Sequence, residues 1–155
     1  MTNEPHAALV AAAPRVRAMT GSTLTGGCLC GGVRYEISAP FVSSSYCHCT
    51  RCQRRTGTGS SANARVAPGS FRIVQGEDLV RVWAPEHGFE KAFCSGCGSA
   101  LFSRNPADHD QIGVRLGTID GDPGIRPDHR NFTAYAAVWE PIPDDGLPRH
   151  PERAP

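Results

Sequence analysis

Seven cysteines occupy three short runs, Cys28-x-Cys30, Cys47-x-Cys49-x-x-Cys52 and Cys94-x-x-Cys97, and none lies outside them. Cysteines this close in sequence cannot easily bridge one another, but they can wrap a single ion, so the spacing reads as zinc-ligand spacing. The odd count and the local grouping argue against a disulfide framework, as does a first stretch that does not read as a secretory signal. A closed structural zinc takes four thiolates, and a catalytic zinc keeps three protein ligands and an open position. Seven therefore divides as four plus three.

The rest of the composition sets modest bounds. A chain of 155 residues is expected to form one domain with a core helped by metal. A formal net charge of +1 and a charged fraction of 20% give no field for nucleic acid or a membrane surface. Lys91 is the single lysine, so nearly all positive charge is arginine, which suits carboxylate recognition. Residues 1–23 read as a disordered N-terminal tail. The apolar run Ala7 to Ala13 is too short to span a bilayer, and Glu4 without a preceding Lys or Arg is the wrong flank for a leader. The expected location is cytoplasmic, and Met19 offers an alternative translation start. Five of the thirteen prolines fall between Pro141 and Pro155, so that stretch is expected to run as irregular chain over the surface, with 150–155 a C-terminal tail.

Between these ends the hydrophobic period is two. Val33, Tyr35 and Ile37 alternate with polar residues, as do Ile112, Val114 and Leu116, and Phe71 with Ile73 begins another such run. Leu79 to Trp83, Phe89 to Phe93, Ala100 to Ser103 and Phe132 to Trp139 are further strand candidates, separated by Pro-Gly and Asp-Gly turn signals. No segment shows a sustained amphipathic helix. The pattern predicts an all-β domain of about eight short strands in two packed sheets, with Trp83 and Trp139 in the core.

Glycines surround two of the cysteine runs, in Gly26-Gly27-Cys28-Leu29-Cys30-Gly31-Gly32 and Cys94-Ser95-Gly96-Cys97-Gly98. They let the backbone fold tightly around sulfur, so these two turns are the candidates for a closed four-thiolate site. Cys47, Cys49 and Cys52 supply three ligands from one six-residue loop and would leave a face of the ion uncovered. Spacing by itself leaves other partitions of the seven open. Beside the trio, Arg51, Arg54 and Arg55 could clamp carboxylates or simply form a solvated rim. His48 could shuttle a proton or merely point away.

The runs Gly27-Cys28-Leu29-Cys30-Gly31, Cys47-His48-Cys49-Thr50-Arg51-Cys52-Gln53-Arg54-Arg55-Thr56-Gly57 and Phe93-Cys94-Ser95-Gly96-Cys97-Gly98-Ser99 resemble the glutathione-dependent formaldehyde-activating enzyme family, which also includes centromere protein V. The resemblance continues through Leu116-Gly117-Thr118-Ile119-Asp120 and Trp139 to Leu147-Pro148, defining a domain over residues 24–149. It implies a β-tent fold related to that of a Rab-GTPase chaperone family. It further implies two zinc ions per chain, a structural one on Cys28, Cys30, Cys94 and Cys97 and a catalytic one on Cys47, Cys49 and Cys52. His129 and Asp120 also fall on matching positions, although Asp120 opens a turn sequence. The activity it implies is condensation of formaldehyde with glutathione, a carbon-sulfur lyase reaction.

The chemistry is compatible with that expectation. Zinc on three thiolates carries a net charge of about −1, which makes it a weak activator of water but a good host for a soft fourth ligand such as a thiol. Binding would favour the thiolate of a group whose free pKa is about 8.5. The competing reading is a zinc-stabilised binding module without turnover, in which the trio's fourth position is closed by a protein group.

Overall fold

The computed structural model describes residues 23–155. Apart from its last residue, the expected N-terminal tail lies outside the described residues. Ten short strands form: β1 (Leu24–Gly27), β2 (Arg34–Ile37), β3 (Ser43–Cys47), β4 (Ser61–Arg65), β5 (Phe71–Gln75), β6 (Val80–Trp83), β7 (Glu90–Cys94), β8 (Ala100–Asn105), β9 (Asp108–Arg115) and β10 (Arg130–Asn131). One helix, α1 (Thr50–Thr56), lies between β3 and β4. The strands make a three-stranded sheet, β1-β2-β5, and a seven-stranded sheet, β10-β3-β4-β9-β8-β7-β6. The fold is therefore mainly β in two packed sheets, as the period of two predicts, with two strands more than expected.

Alternation explains the core. Val33, Tyr35 and Ile37 are all fully buried, and from the large sheet Ala64, Ala92, Phe102 and Val114 close over them in one cluster. An aromatic run crosses between the sheets: Tyr35 lies 5.1 Å from Phe71, and Phe71 lies 4.9 Å from Phe102, both pairs tilted. The Tyr35 hydroxyl is satisfied by the Thr118 hydroxyl at 2.6 Å. Asp120 ties the edge of the small sheet, accepting from Thr25 Oγ1 at 2.6 Å and pairing with Arg34.

Two expectations are corrected. Phe132 to Trp139 is not a strand: Phe132 sits in the left-handed region at φ 59°, Thr133–Tyr135 forms a 3-10 turn, and Val138 and Trp139 are exposed. The N–H groups of Phe132, Thr133 and Ala134 are taken by the carbonyls of Glu152, His150 and Pro151, so no sheet partner is left for them. Neither Trp139 nor Trp83 belongs to the core, Trp83 because it ends β6, the outermost strand of the large sheet. The C-terminal stretch is irregular, yet it is fastened to β10 through Arg130 N–H to Pro148 O and His150 N–H to Arg130 O, both at 2.8 Å.

Candidate metal centres

The turn from β1 to β2 carries Cys28 and Cys30, while Cys94 ends β7 and Cys97 lies in the turn from β7 to β8. Each is a tight knuckle closed by a glycine in the left-handed region, Gly31 at φ 74° and Gly98 at φ 75°, where a side chain would strain the backbone. Gly31 N–H bonds to Cys28 O at 3.1 Å, and Gly98 N–H bonds to Cys94 O at 2.8 Å. The two sheets thus meet at four sulfurs that all lie within 4.8 Å of one another. Cys28 and Cys30 Sγ are 3.4 Å apart, and Cys30 and Cys94 Sγ are 3.9 Å apart. A tetrahedron with metal–sulfur bonds of about 2.3 Å has edges of about 3.8 Å, so this donor set fits zinc. Val33 N–H donates to Cys28 Sγ at 3.2 Å, and the Ser99 hydroxyl lies 3.2 Å from Cys97 Sγ. That hydroxyl, then the Ser99 backbone N–H, holds the Cys97 thiol down to about 6.

The trio is built by a strand end and a helix start. Cys47 ends β3, Cys49 is the N-cap of α1, and Cys52 lies in its first turn and is buried. Cys49 Sγ accepts the N–H of Cys52 at 3.4 Å, which is the work that Ser or Asp does at an ordinary N-cap. The loop expected to hold the three sulfurs is therefore partly helix. The sulfurs lie within 4.8 Å of one another, with Cys47 and Cys49 3.5 Å apart. They titrate as a unit: hydrogen bonds from Cys47 and Cys52 hold Cys49 down to about 2, while Cys49 and Cys52 push Cys47 far up. Among the described residues no fourth Cys, His, Asp or Glu joins this group.

His48, between two of these cysteines, turns away from them. It is buried, its N–H bonds to Asn131 O at 2.9 Å, and its Nε2 lies 3.3 Å from Arg130 Nη1. Burial first, and the Arg130 charge second, push its pKa down, so the ring is neutral and accepts from the guanidinium. His129 is held by Asp128 at 2.5 Å and by Asn131 at 3.1 Å and is part of neither cysteine group.

The three arginines part company. Arg51 and Arg54 are exposed and line a cleft of about 520 Å³ on the flank of α1, with Trp83 and Phe93 opposite. Arg51 is steadied by His87 O at 2.9 Å. Arg55 reaches beneath the helix, donating to Ser103 Oγ at 2.9 Å, Ala92 O at 2.5 Å and Phe102 O at 3.0 Å, and so docks α1 on the large sheet. Burial, then Arg115, lowers its pKa to about 9. Two cations that are not among the site residues expected from sequence join it on the same hydroxyl: Arg115 Nη2 at 3.1 Å and Lys91 Nζ at 3.3 Å. Lys91 lines the cleft, and burial followed by Arg115 pushes it down to about 8. Cys47, Cys49 and Cys52 are not among the residues lining this cleft. A second cleft of about 420 Å³ shares Arg55 and runs past Arg115 to Cys97 and Ser99.

Residues 23–135 match the family model described as glutathione-dependent formaldehyde-activating enzyme. The chain belongs to this family. A Halomonas elongata protein, provisionally named a glutathione-dependent formaldehyde-activating enzyme, is 29% identical over 105 residues, which cover 64% of this chain and 67% of that protein. A Rhodobacter sphaeroides protein of known crystal structure shares the fold, with a TM-score of 0.52 at 23% identity over 63% of this chain and 89% of its own. The family's description is of an enzyme that uses glutathione to activate formaldehyde, and two clusters that could hold metal ions are in place for it. Among the described residues no helix is long and apolar enough to cross a membrane.

Proposed function

We propose that the chain is a zinc-dependent enzyme of the carbon-sulfur lyase type, activating a small thiol for addition to, or release from, an aldehyde such as formaldehyde. Glutathione, which the family description names, is the first thiol to test. The observation that carries the reading is the trio itself: three sulfurs within 4.8 Å of one another and no fourth protein donor in the group among the described residues. In this reading Cys28, Cys30, Cys94 and Cys97 hold a structural zinc that joins the sheets, and Cys47, Cys49 and Cys52 hold the catalytic one. When bound, the catalytic zinc supplies a soft Lewis acid whose remaining position favours the thiolate form of a thiol.

The chain's own residues do the rest. Arg51 and Arg54 present exposed guanidinium groups to carboxylates of the thiol. Arg55 positions α1, and with it Cys49 and Cys52, by its three bonds to β7 and β8. His48 serves as a positioning residue that fixes the junction of β3 and α1 through Arg130, rather than as a proton shuttle. In the reaction the S–H bond breaks, its proton leaves to solvent, a sulfur–carbon bond forms, and the carbonyl oxygen takes up a proton. Release runs the same steps backwards.

The zinc-stabilised binding module without turnover has one observation in its favour, the absence of the trio's sulfurs from the cleft lining. Metal analysis and cobalt substitution separate the two. The enzyme reading expects close to two zinc per chain and a change in thiolate-to-metal absorption when glutathione or another cellular thiol is added. No spectral change across a panel of thiols, and no rate above the uncatalysed background on their formaldehyde adducts, would establish the module instead.

A further inference from the structure

Six of the described arginines, Arg34, Arg72, Arg104, Arg126, Arg130 and Arg149, each pair with a carboxylate. Among the described cations without a carboxylate partner, Arg65, Arg81 and Arg153 stand apart from the cleft lining, whereas Arg51, Arg54, Arg55, Lys91 and Arg115 gather around the cleft beside α1 and the hydroxyl beneath it. Four of them line the cleft, and no Asp or Glu does. The hydroxyl cannot satisfy what converges on it. Ser103 Oγ has two lone pairs and receives three cationic donors, so Lys91, the most distant at 3.3 Å, is the one left short. Arg115, only 7% exposed, also keeps its Nε–H without a partner. Unpaired charge of this kind, drawn partly out of water, is costly unless something of opposite sign completes it.

We propose that this cleft recognises a thiol carrying two or more negative charges and no ammonium, with Arg51, Arg54 and Lys91 taking the anions, Arg55 adding its charge from beneath, and Trp83 and Phe93 covering the ligand's apolar part. The proposal takes from the reading above only that the ligand's reactive group is a thiol. An ammonium would enter among four cations with no carboxylate to receive it, so an amino-acid-derived thiol is disfavoured relative to an amine-free one of equal anionic charge. The shared requirement is multiple negative charge, whether from carboxylates or from phosphate.

Titration calorimetry of the zinc-loaded protein tests this with five probes: mercaptosuccinate, succinate, phosphopantetheine, glutathione and cysteamine. Mercaptosuccinate or phosphopantetheine is expected to bind at least tenfold more tightly than glutathione, the stronger of the two identifying the anion, with cysteamine weakest. Succinate, which has no sulfur, is expected to compete with mercaptosuccinate and to lose at least tenfold in affinity in Lys91→Gln and in Arg54→Gln. Should Lys91→Gln not fold, Arg54→Gln, on the exposed flank of α1, carries the same comparison. Glutathione binding as tightly as the amine-free thiols, or succinate binding indifferent to the substitutions, would overturn the proposal. Succinate bound as expected while no thiol enters the coordination sphere of cobalt would remove the catalytic reading and leave the anion site standing. Thiol entry with no dependence on ligand charge would do the reverse.

Discussion

Arg130 is the side chain on which most of the region behind the trio depends. It is buried, pairs with Asp145 at 2.5 Å, donates to His48 and lies 4.5 Å from the Tyr46 ring, all within reach of Cys47. Asp145 is exposed and returns to water when Arg130 is removed, so the loss in Arg130→Ala is of packing on the Tyr46 ring and of the donor to His48: the urea midpoint should fall, and metal at the trio should loosen before the fold is lost. The two clusters should separate by mutation. Cys97→Ala opens the join between the sheets and should give insoluble or molten protein. Cys49→Ala removes the cap of α1, worth about 1 kcal/mol, and should stay folded with one zinc. Equal loss of folding in both would mean that the trio is structural as well. The seven cysteines were readable from sequence because ligand spacing is local. Arg115, Arg130 and Lys91 were not, since a buried cation on a strand looks like the polar half of an alternating pattern, and only the partner face shows that both sides are covered.

At the scale of elements, α1 escaped the sequence reading for a physical reason. Seven residues make about two turns, too few for an amphipathic stripe to repeat, and a cysteine is not among the usual N-caps. The strands β3 and β4 were hidden similarly, reading Ser-Ser-Ser-Tyr-Cys and Ser-Ala-Asn-Ala-Arg, with too few large apolar residues for a period to show. The strands β2, β5, β6, β7, β8 and β9 were legible because β-branched and aromatic residues mark them. The Phe132 to Trp139 run looked like one of these, and only its left-handed start and its bonding to the chain end reveal otherwise. That bonding gives a test. β10 pairs with β3 at Cys47, with Asn131 opposite it, so deleting residues 149–155 should unfasten β10 and lower zinc at the trio by metal analysis while the four-cysteine site keeps its ion. In the knuckle, a Cβ on Gly98 meets nothing within 4 Å, so Gly98→Ala reports backbone strain alone and should cost about 1–2 kcal/mol by denaturation.

For the whole molecule, the aromatic run from Tyr35 through Phe71 to Phe102 is the main apolar bond between the sheets. Phe102→Ala, at a buried site, should cost about 3–5 kcal/mol in chemical unfolding. Acid should weaken the fold over a defined range. Asp120, Asp122 and Asp145 are held below the usual carboxylate value by Arg34, Arg126 and Arg130, with Asp122 at about 2. Their contribution is present above the unfolded value of about 3.9 and is lost as pH falls through the folded values, so melting temperature should drop between about pH 4 and pH 2, by little because all three carboxylates are exposed, and proton competition for the cysteine thiolates adds a separate loss at higher pH. The four-cysteine knuckle pair also bears on how fast the chain reaches this state. Cys30 and Cys94 are 64 residues apart, and closing a loop of that length costs about 4 kcal/mol of chain entropy before any sheet contact offsets it. A metal ion that gathers both knuckles early would remove that delay, so refolding from denaturant should quicken as free zinc is raised and become independent of zinc once loading outpaces strand pairing. Stopped-flow circular dichroism of the strands reads this, and a refolding rate flat in zinc would show that the knuckles close only after the sheets have met.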